Sequence, residues 1–484
     1  MPVPHHSSYS TIIIGLNSAL FKRLPQTDHR ISPCILHAIS QTASIWSNFV
    51  KGDLTEDDYY SHVAAKFKLD PKDVRQAFDQ IRTSLRTDDD IYALLRELRL
   101  ASQGKVQVLA LVSTSTADYE ALHSKPVDWS VFDQVFACSE EEKMPSLSFY
   151  RRILATTNLD PGNVIFIDDN FDSIFTARSL GMHSVVLKDA TCVERALRNL
   201  LGNPIKRGQD FLRRNARHLD CITRHTDGYG TMIVHENWTQ LLILEATNDR
   251  TLVDFVEHSG KWNFFKEGPQ LTTDHYPDDL DTTSVGLTVL KYDKEIVDPI
   301  LDEMLKYVNS DGILLTYFDH DRQRLDAGIC VDILALFYAY GRGDEAAPTL
   351  YWIRDILQYK AYLEGTRYFN TPECFLWLVS RLLSYSDDAV LHATLKPLLK
   401  ERVQEHIGVT GDALALAMRI LVCDAVGICN ETDLSQLLPL QCVDGGWEVG
   451  WIYHFPTAGV SIGNRGLTTA LAIKAIEAVR GNAV

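Results

Sequence analysis

The sequence has no basic excess, no paired-cysteine pattern, no membrane-length apolar run and no fixed repeat, and each absence narrows what it does. Its 484 residues carry 47 Lys and Arg against 64 Asp and Glu, a formal charge of −17. Such a field repels a polyphosphate backbone, so nucleic acid is excluded as a partner. A small pyrophosphorylated molecule stays compatible with it, because a few local cationic side chains and a metal ion can hold a diphosphate against the global charge. The nine cysteines, an odd number scattered from Cys34 to Cys442, form no C-x-x-C pair and no zinc-ligand spacing with histidine. They read as reduced thiols. No basic stretch leading into an apolar run opens the chain, and no apolar stretch reaches the roughly 20 residues of a membrane span. The expectation is a soluble, cytoplasmic protein without a membrane span; oligomeric state is not legible.

What is present divides the chain. Its length suits two domains better than one. Apolar, strand-like runs at Thr11 to Leu16, Val106 to Val112, Val164 to Ile167 and Ser184 to Leu187 alternate with helix-like stretches, which predicts a parallel α/β sheet over residues 1–203. Residues 204–218, with Gly and Pro among basic residues, read as a linker or connecting helix. From residue 219 to 484 apolar residues recur at helical spacing in successive blocks, from Leu241 to Val256 through Leu467 to Val479. Many helices with short connections predict an all-α barrel or bundle.

The most informative segment is Asp279-Leu280-Asp281-Thr282-Thr283, following Pro277 at the entrance to a helix. In extended or turn backbone, side chains two apart lie on one side, so the two carboxyls can approach and share a proton. Burial and like-charge repulsion raise a carboxyl pKa and keep one member protonated at neutral pH. The competing reading is an acidic N-cap followed by hydroxyl residues. Gln441 to Trp447, with Trp451, Tyr453 and Phe455 following, adds aromatic faces able to stabilise a cation without capturing it; Trp447 and Trp451 are the leading wall candidates. Arg465, flanked by Gly463 and Gly466, is the first candidate for a diphosphate clamp, with Arg367 and Arg342 behind it.

The pentapeptide resembles the D-x-D-D or D-x-D-T-T motif of class II terpene cyclases, and the Gln441–Trp447 segment resembles the Gln-Trp repeat of the α-barrel cyclases. That resemblance implies Asp281 as the proton donor, Asp279 as its carboxylate neighbour and Thr282 in place of a third aspartate, with Mg²⁺ as a diphosphate partner. Residues 9–203 resemble the haloacid-dehalogenase-like superfamily, in which the first strand ends on a nucleophilic aspartate with a second two residues on. Here those places hold Gly15 and Asn17. Ser113 fits the second motif, Asp168 and Asp169 fit the metal-binding fourth, and Lys143 is displaced by one from the position before Pro145, which Met144 fills. A glycine cannot attack phosphorus, so the front domain is expected to lack phosphatase activity; the acidic pair reads equally as residual Mg²⁺ ligands or as a polar strand end. Asp168-Asp169-Asn170-Phe171-Asp172 also spells D-D-x-x-D, but it follows an apolar strand directly and is assigned to the α/β domain.

A dehalogenase-like front joined to a D-x-D-T-T barrel is similar to the drimane-type sesquiterpene cyclases. The resemblance implies farnesyl diphosphate as substrate and a bicyclic drimane-type diphosphate as product, with hydrolysis left to separate downstream phosphatases. The alternatives are a bifunctional cyclase-phosphatase releasing an alcohol and a non-catalytic scaffold.

Overall fold

The computed structural model describes residues 9–16, 21–23, 31–32, 35, 38–39, 45, 48–49, 53–112, 128–137, 146–225, 230–455 and 458–481. The chain divides into two compact units, Pro2–Gly202 and Asn203–Val484 with Met1.

In the first unit five strands, Thr11–Gly15 (β1), Gln107–Val112 (β2), Gln134–Ala137 (β3), Val164–Asp168 (β4) and His183–Val186 (β5), form a sheet in the order β3-β2-β1-β4-β5. Every pairing is parallel. Strands β1 and β4 are buried throughout, as continuous apolar runs of a sheet covered on both faces should be. Strand β3 is mostly exposed at the edge, which is why its sequence carries no apolar run. A parallel sheet places its functional groups beyond the carboxyl ends of its strands, and Gly15 and Asp168 end the adjacent strands β1 and β4.

The second unit is a ring. Trp238–Thr247 (α1), Leu280–Leu290 (α2), Ala327–Ala339 (α3), Pro372–Ser384 (α4), Ala413–Ala425 (α5) and Arg465–Gly481 (α6) each pack on the next, and α6 closes back on α1. Residues Ala327 to Tyr338 of α3 are all buried, the mark of a helix enclosed by protein on every side. The ends of these helices are written locally: Asp279, Asp326, Thr371 and Asp412 each N-cap a ring helix by accepting a hydrogen bond from a first-turn amide. The segment 204–218 supplies a helix, Pro204–Arg214, that packs on α6 within this unit rather than standing apart as a link.

To the ring the structure adds a feature that helical periodicity does not show. Gly450–Phe455, Val460–Asn464, Cys221–His225 and Ile233–Val234 form a four-stranded antiparallel sheet.

Candidate active site

The D-x-D-T-T segment is held by backbone on both sides. The Asp279 amide donates to Trp262 O (3.1 Å), the Leu280 amide to Thr316 O (2.8 Å), and Asp279 forms an antiparallel bridge with Tyr317. The Thr283 hydroxyl accepts from the Trp262 amide (2.8 Å). Gly286, one turn further along α2, makes this approach possible, because a Cβ there would meet the Trp262 indole at 2.8 Å.

Asp281 faces a cavity of about 420 Å³ including its mouth. Eight of its twelve lining residues are aromatic, Trp238, Phe264, Tyr276, Tyr317, Tyr368, Phe369, Tyr453 and Phe455; the rest are Asp279, Asp281, Thr316 and Ile329. Asp281 is 9 % exposed. Burial, reinforced by the neighbouring Asp332 and Asp279 carboxyls, raises its pKa well above the ordinary carboxylate range.

The Asp281 carboxyl is coupled to Asp332 on α3 as well as to Asp279, a second carboxyl neighbour that the sequence expectation did not include. Asp279 is also the helix cap: its Oδ1 accepts from the Thr282 amide at 2.6 Å. Asp332 is ion-paired with Arg381 on α4, and Arg381 donates to both Glu245 carboxylate oxygens (2.8 and 3.0 Å). The Tyr385 hydroxyl completes the cluster on Glu245. Burial raises the pKa of Asp332 while the Arg381 guanidinium opposes this by favouring its charged form; burial and the neighbouring carboxyls raise that of Asp281.

The other expected residues fall in several places. Thr282 is fully buried, with its amide on Asp279, and is not part of the wall. Trp447 is fully buried in the core, its indole N–H donating to Leu437 O (3.0 Å), against the expectation of a wall position. Its neighbour Gln441 donates to Pro204 O (2.9 Å) and Gly445 O (2.8 Å), so this segment pins the helix Pro204–Arg214 to the ring. Trp451 also stands off the wall, with the Arg224 guanidinium 4.3 Å over its ring. Arg465 is already neutralised, paired through two nitrogens with Asp444 (2.7 Å each) and donating to Trp447 O; a cation so engaged is a poor free clamp. Arg342 is likewise paired, with Glu345, Asp302 and Asp298. Arg367 is exposed beside Tyr368, and it and Arg324 both act electrostatically on that cavity tyrosine. Neither has a carboxylate partner among the described residues.

Sequence reasoning missed Asp332, Arg381 and Arg324. A signal existed for the first two, since each is a charge set in a largely apolar stretch (Ile329-Cys330-Val331-Asp332-Ile333-Leu334 and Val379-Ser380-Arg381-Leu382-Leu383), and such charges are buried only when paired.

In the first unit a Cβ at Gly15 would collide with Asp168 Oδ2. Burial and then the adjacent Asp169 carboxyl push Asp168 up to about 7. Asn170 caps the helix Phe171–Ser179, so the D-D-x-x-D string is split between a strand end and a helix start. Asn17, Ser113, Lys143, Met144 and Pro145 lie outside the described residues. No group of three or more His, Cys, Asp or Glu placed to hold a metal occurs among the described residues.

Residues 205–340 match the family model for the sesquiterpene cyclase astC-like C-terminal domain. The chain is 39% identical to the drimenol cyclase drtB of Aspergillus calidoustus over 435 residues, covering 90% of this chain and 81% of the relative. The chain belongs to the drimane-type sesquiterpene cyclase family. As a member it is a class II terpene cyclase with a dehalogenase-like front: over 199 residues, 40% of this chain, it is 30% identical to 98% of the sesquiterpene phosphatase astK of Aspergillus oryzae. Among solved structures, the type II terpene cyclase MstE from Scytonema aligns at 11% identity over 60% of this chain and 99% of its own, with a TM-score of 0.41. A HAD-like family hydrolase from Porphyromonas gingivalis aligns at 17% identity over 37% and 91%, with a TM-score of 0.29. No described helix is long and apolar enough to cross a membrane.

Proposed function

We propose that the protein cyclises farnesyl diphosphate to a bicyclic drimane-type diphosphate and releases it with the diphosphate intact. The observation that carries this reading is Asp281: a buried carboxyl whose pKa is raised by burial and by the neighbouring Asp332 and Asp279, lining an aromatic chamber. An alkene is a very weak base, so the acid must be held neutral and aimed at carbon. Asp332 orients the Asp281 carboxyl, and Arg381 fixes Asp332 in turn; both act as positioning residues. Proton transfer to the terminal double bond leaves a tertiary cation, which the two remaining double bonds capture in sequence. The aromatic faces stabilise each cation in turn and offer no lone pair to stop the cascade.

Arg324 and Arg367, both without a carboxylate partner among the described residues and both acting electrostatically on the cavity residue Tyr368, are the candidates to receive the diphosphate. Mg²⁺ enters in this reading as the diphosphate's counter-ion; the described residues provide it no dedicated site.

The diphosphate is retained because Gly15 stands where a phosphatase front needs its nucleophile and Asp168 fills the space a side chain there would take. Hydrolysis then falls to separate phosphatases. The relative's name, a drimenol cyclase, denotes an alcohol product and favours a second reading in which the chain hydrolyses its own product. Purified protein incubated with farnesyl diphosphate and Mg²⁺ decides between them. A bicyclic diphosphate that yields alcohol only after added alkaline phosphatase is expected; free alcohol without it would establish the second reading. Geranylgeranyl diphosphate in the same mixture tests chain length.

A further inference from the structure

A cation-driven ring closure has to end by losing a proton from a carbon beside the last cationic centre. The geometry points to Asp279 as the base that takes this proton, a second catalytic carboxylate in the chamber where Asp281 is the acid; the inference rests on the protonation reading above.

Among the residues lining the cavity, Asp279 and Asp281 alone carry carboxylates. The tyrosines are poor candidates. Tyr276, Tyr317 and Tyr368 spend their hydroxyls on one another (3.2 Å for each pair), and burial holds Tyr276, Tyr368 and Tyr453 in the neutral phenol form. Asp281 has just given up its proton, but it is coupled to Asp332 and sits where ring closure begins. The last cation forms across the width of the fused bicycle from that carbon.

Asp279 has what the task needs. It is 3 % exposed, its Oδ1 is fixed on the Thr282 amide, and its Oδ2 is buried without a hydrogen-bond donor. A carboxylate oxygen left unsatisfied in a dry wall costs stability, which marks it as a group kept for use. The backbone bonds to Trp262 and Thr316 hold the residue rigidly. Burial pushes its pKa up to about 7, against the Thr282 amide, which favours the charged form. The group is therefore basic enough at neutral pH to accept a proton.

In the step, a C–H bond next to the last cationic carbon breaks, and its electron pair becomes the new carbon–carbon double bond. The proton goes to Asp279 Oδ2, giving a neutral carboxyl. When product leaves, Asp279 returns a proton to water and Asp281 regains one from it, so the overall change is an isomerisation needing no further reactant.

Asp279→Asn keeps the N-cap, since asparagine caps as well as aspartate, but cannot take up a proton. With farnesyl diphosphate, products are dephosphorylated and analysed by mass spectrometry. Formation of the normal alkene is expected to fall about 100-fold, with the remaining bicycles redistributed among alkene isomers and a water-captured hydroxylated bicycle. Asp279→Ser, also a good cap, is expected to give the same redistribution and decides the matter if the Asn variant does not fold. An unchanged product pattern at any rate would overturn the proposal. So would loss of every bicycle in folded protein, because Asp279 would then serve the protonation step. Asp281→Asn, run alongside, is expected to make no bicycle; bicycles from it would sink the protonation reading itself, independently of the base.

Discussion

Asp332 is ion-paired with the Arg381 guanidinium and acts on the Asp281 carboxyl beside it. The arrangement separates two tasks that one carboxylate cannot combine. Arg381 favours charge on Asp332, and burial with the neighbouring carboxyls favours the proton on Asp281.

A pH dependence follows with a definite sign. Burial and the Asp332 charge raise the pKa of Asp281, so the competent neutral acid persists through neutral pH and is lost as pH rises through that raised value. The kcat of cyclisation is expected to fall on the alkaline side. In Asp332→Asn the charge is gone, and the alkaline limb is expected to move to lower pH; a kcat profile on both proteins checks it, and an unmoved limb would show that Asp332 does not act on the acid.

Arg381→Met leaves the Asp332 carboxylate buried without its cation and removes the partner of Glu245. Breaking a buried pair from one side costs about 3–5 kcal/mol. A denaturant titration is expected to register a loss of that order, whereas a loss below about 1 kcal/mol would place the pair in effectively solvated surroundings.

Restoring the missing nucleophile in the first unit is expected to fail. Gly15→Asp adds a side chain where Asp168 Oδ2 already stands, and burying a second carboxyl beside Asp168 disfavours the ionised form a nucleophile needs. Assay with p-nitrophenyl phosphate and Mg²⁺ is expected to show no gain, and cyclisation is expected to continue.

Arg324→Ala and Arg367→Ala are each expected to raise KM for farnesyl diphosphate about tenfold, equivalent to about 1.4 kcal/mol, with kcat changed less. Arg465→Ala is expected to leave KM unmoved, because its guanidinium is committed to Asp444. Steady-state kinetics at fixed ionic strength separates the three.

Much of this was readable without coordinates where the information is local. The runs that become β1, β2 and β4 are apolar and almost wholly buried, and Asp279 to Thr283 carries its cap, its acid and its hydroxyls in five consecutive residues. What escaped is non-local. Whether Asp281 shares its proton with Asp279 or Asp332 depends on how α2 packs on α3, and no spacing within one segment encodes that. Trp447 and Trp451 have the right chemistry for a cavity wall, yet one is spent on Leu437 and the other under Arg224. The four-stranded sheet joins Cys221–His225 to Val460–Asn464, segments too far apart in sequence to announce one another.

The most direct test of the central claim is cyclisation of farnesyl diphosphate in deuterium oxide, with the product analysed by mass spectrometry and NMR after dephosphorylation. The account requires one deuterium, on the ring carbon next to the one bearing two methyl groups, in a product that kept its diphosphate until phosphatase was added. A bicycle without deuterium at that carbon, or a hydrocarbon formed by loss of diphosphate, would contradict protonation by Asp281.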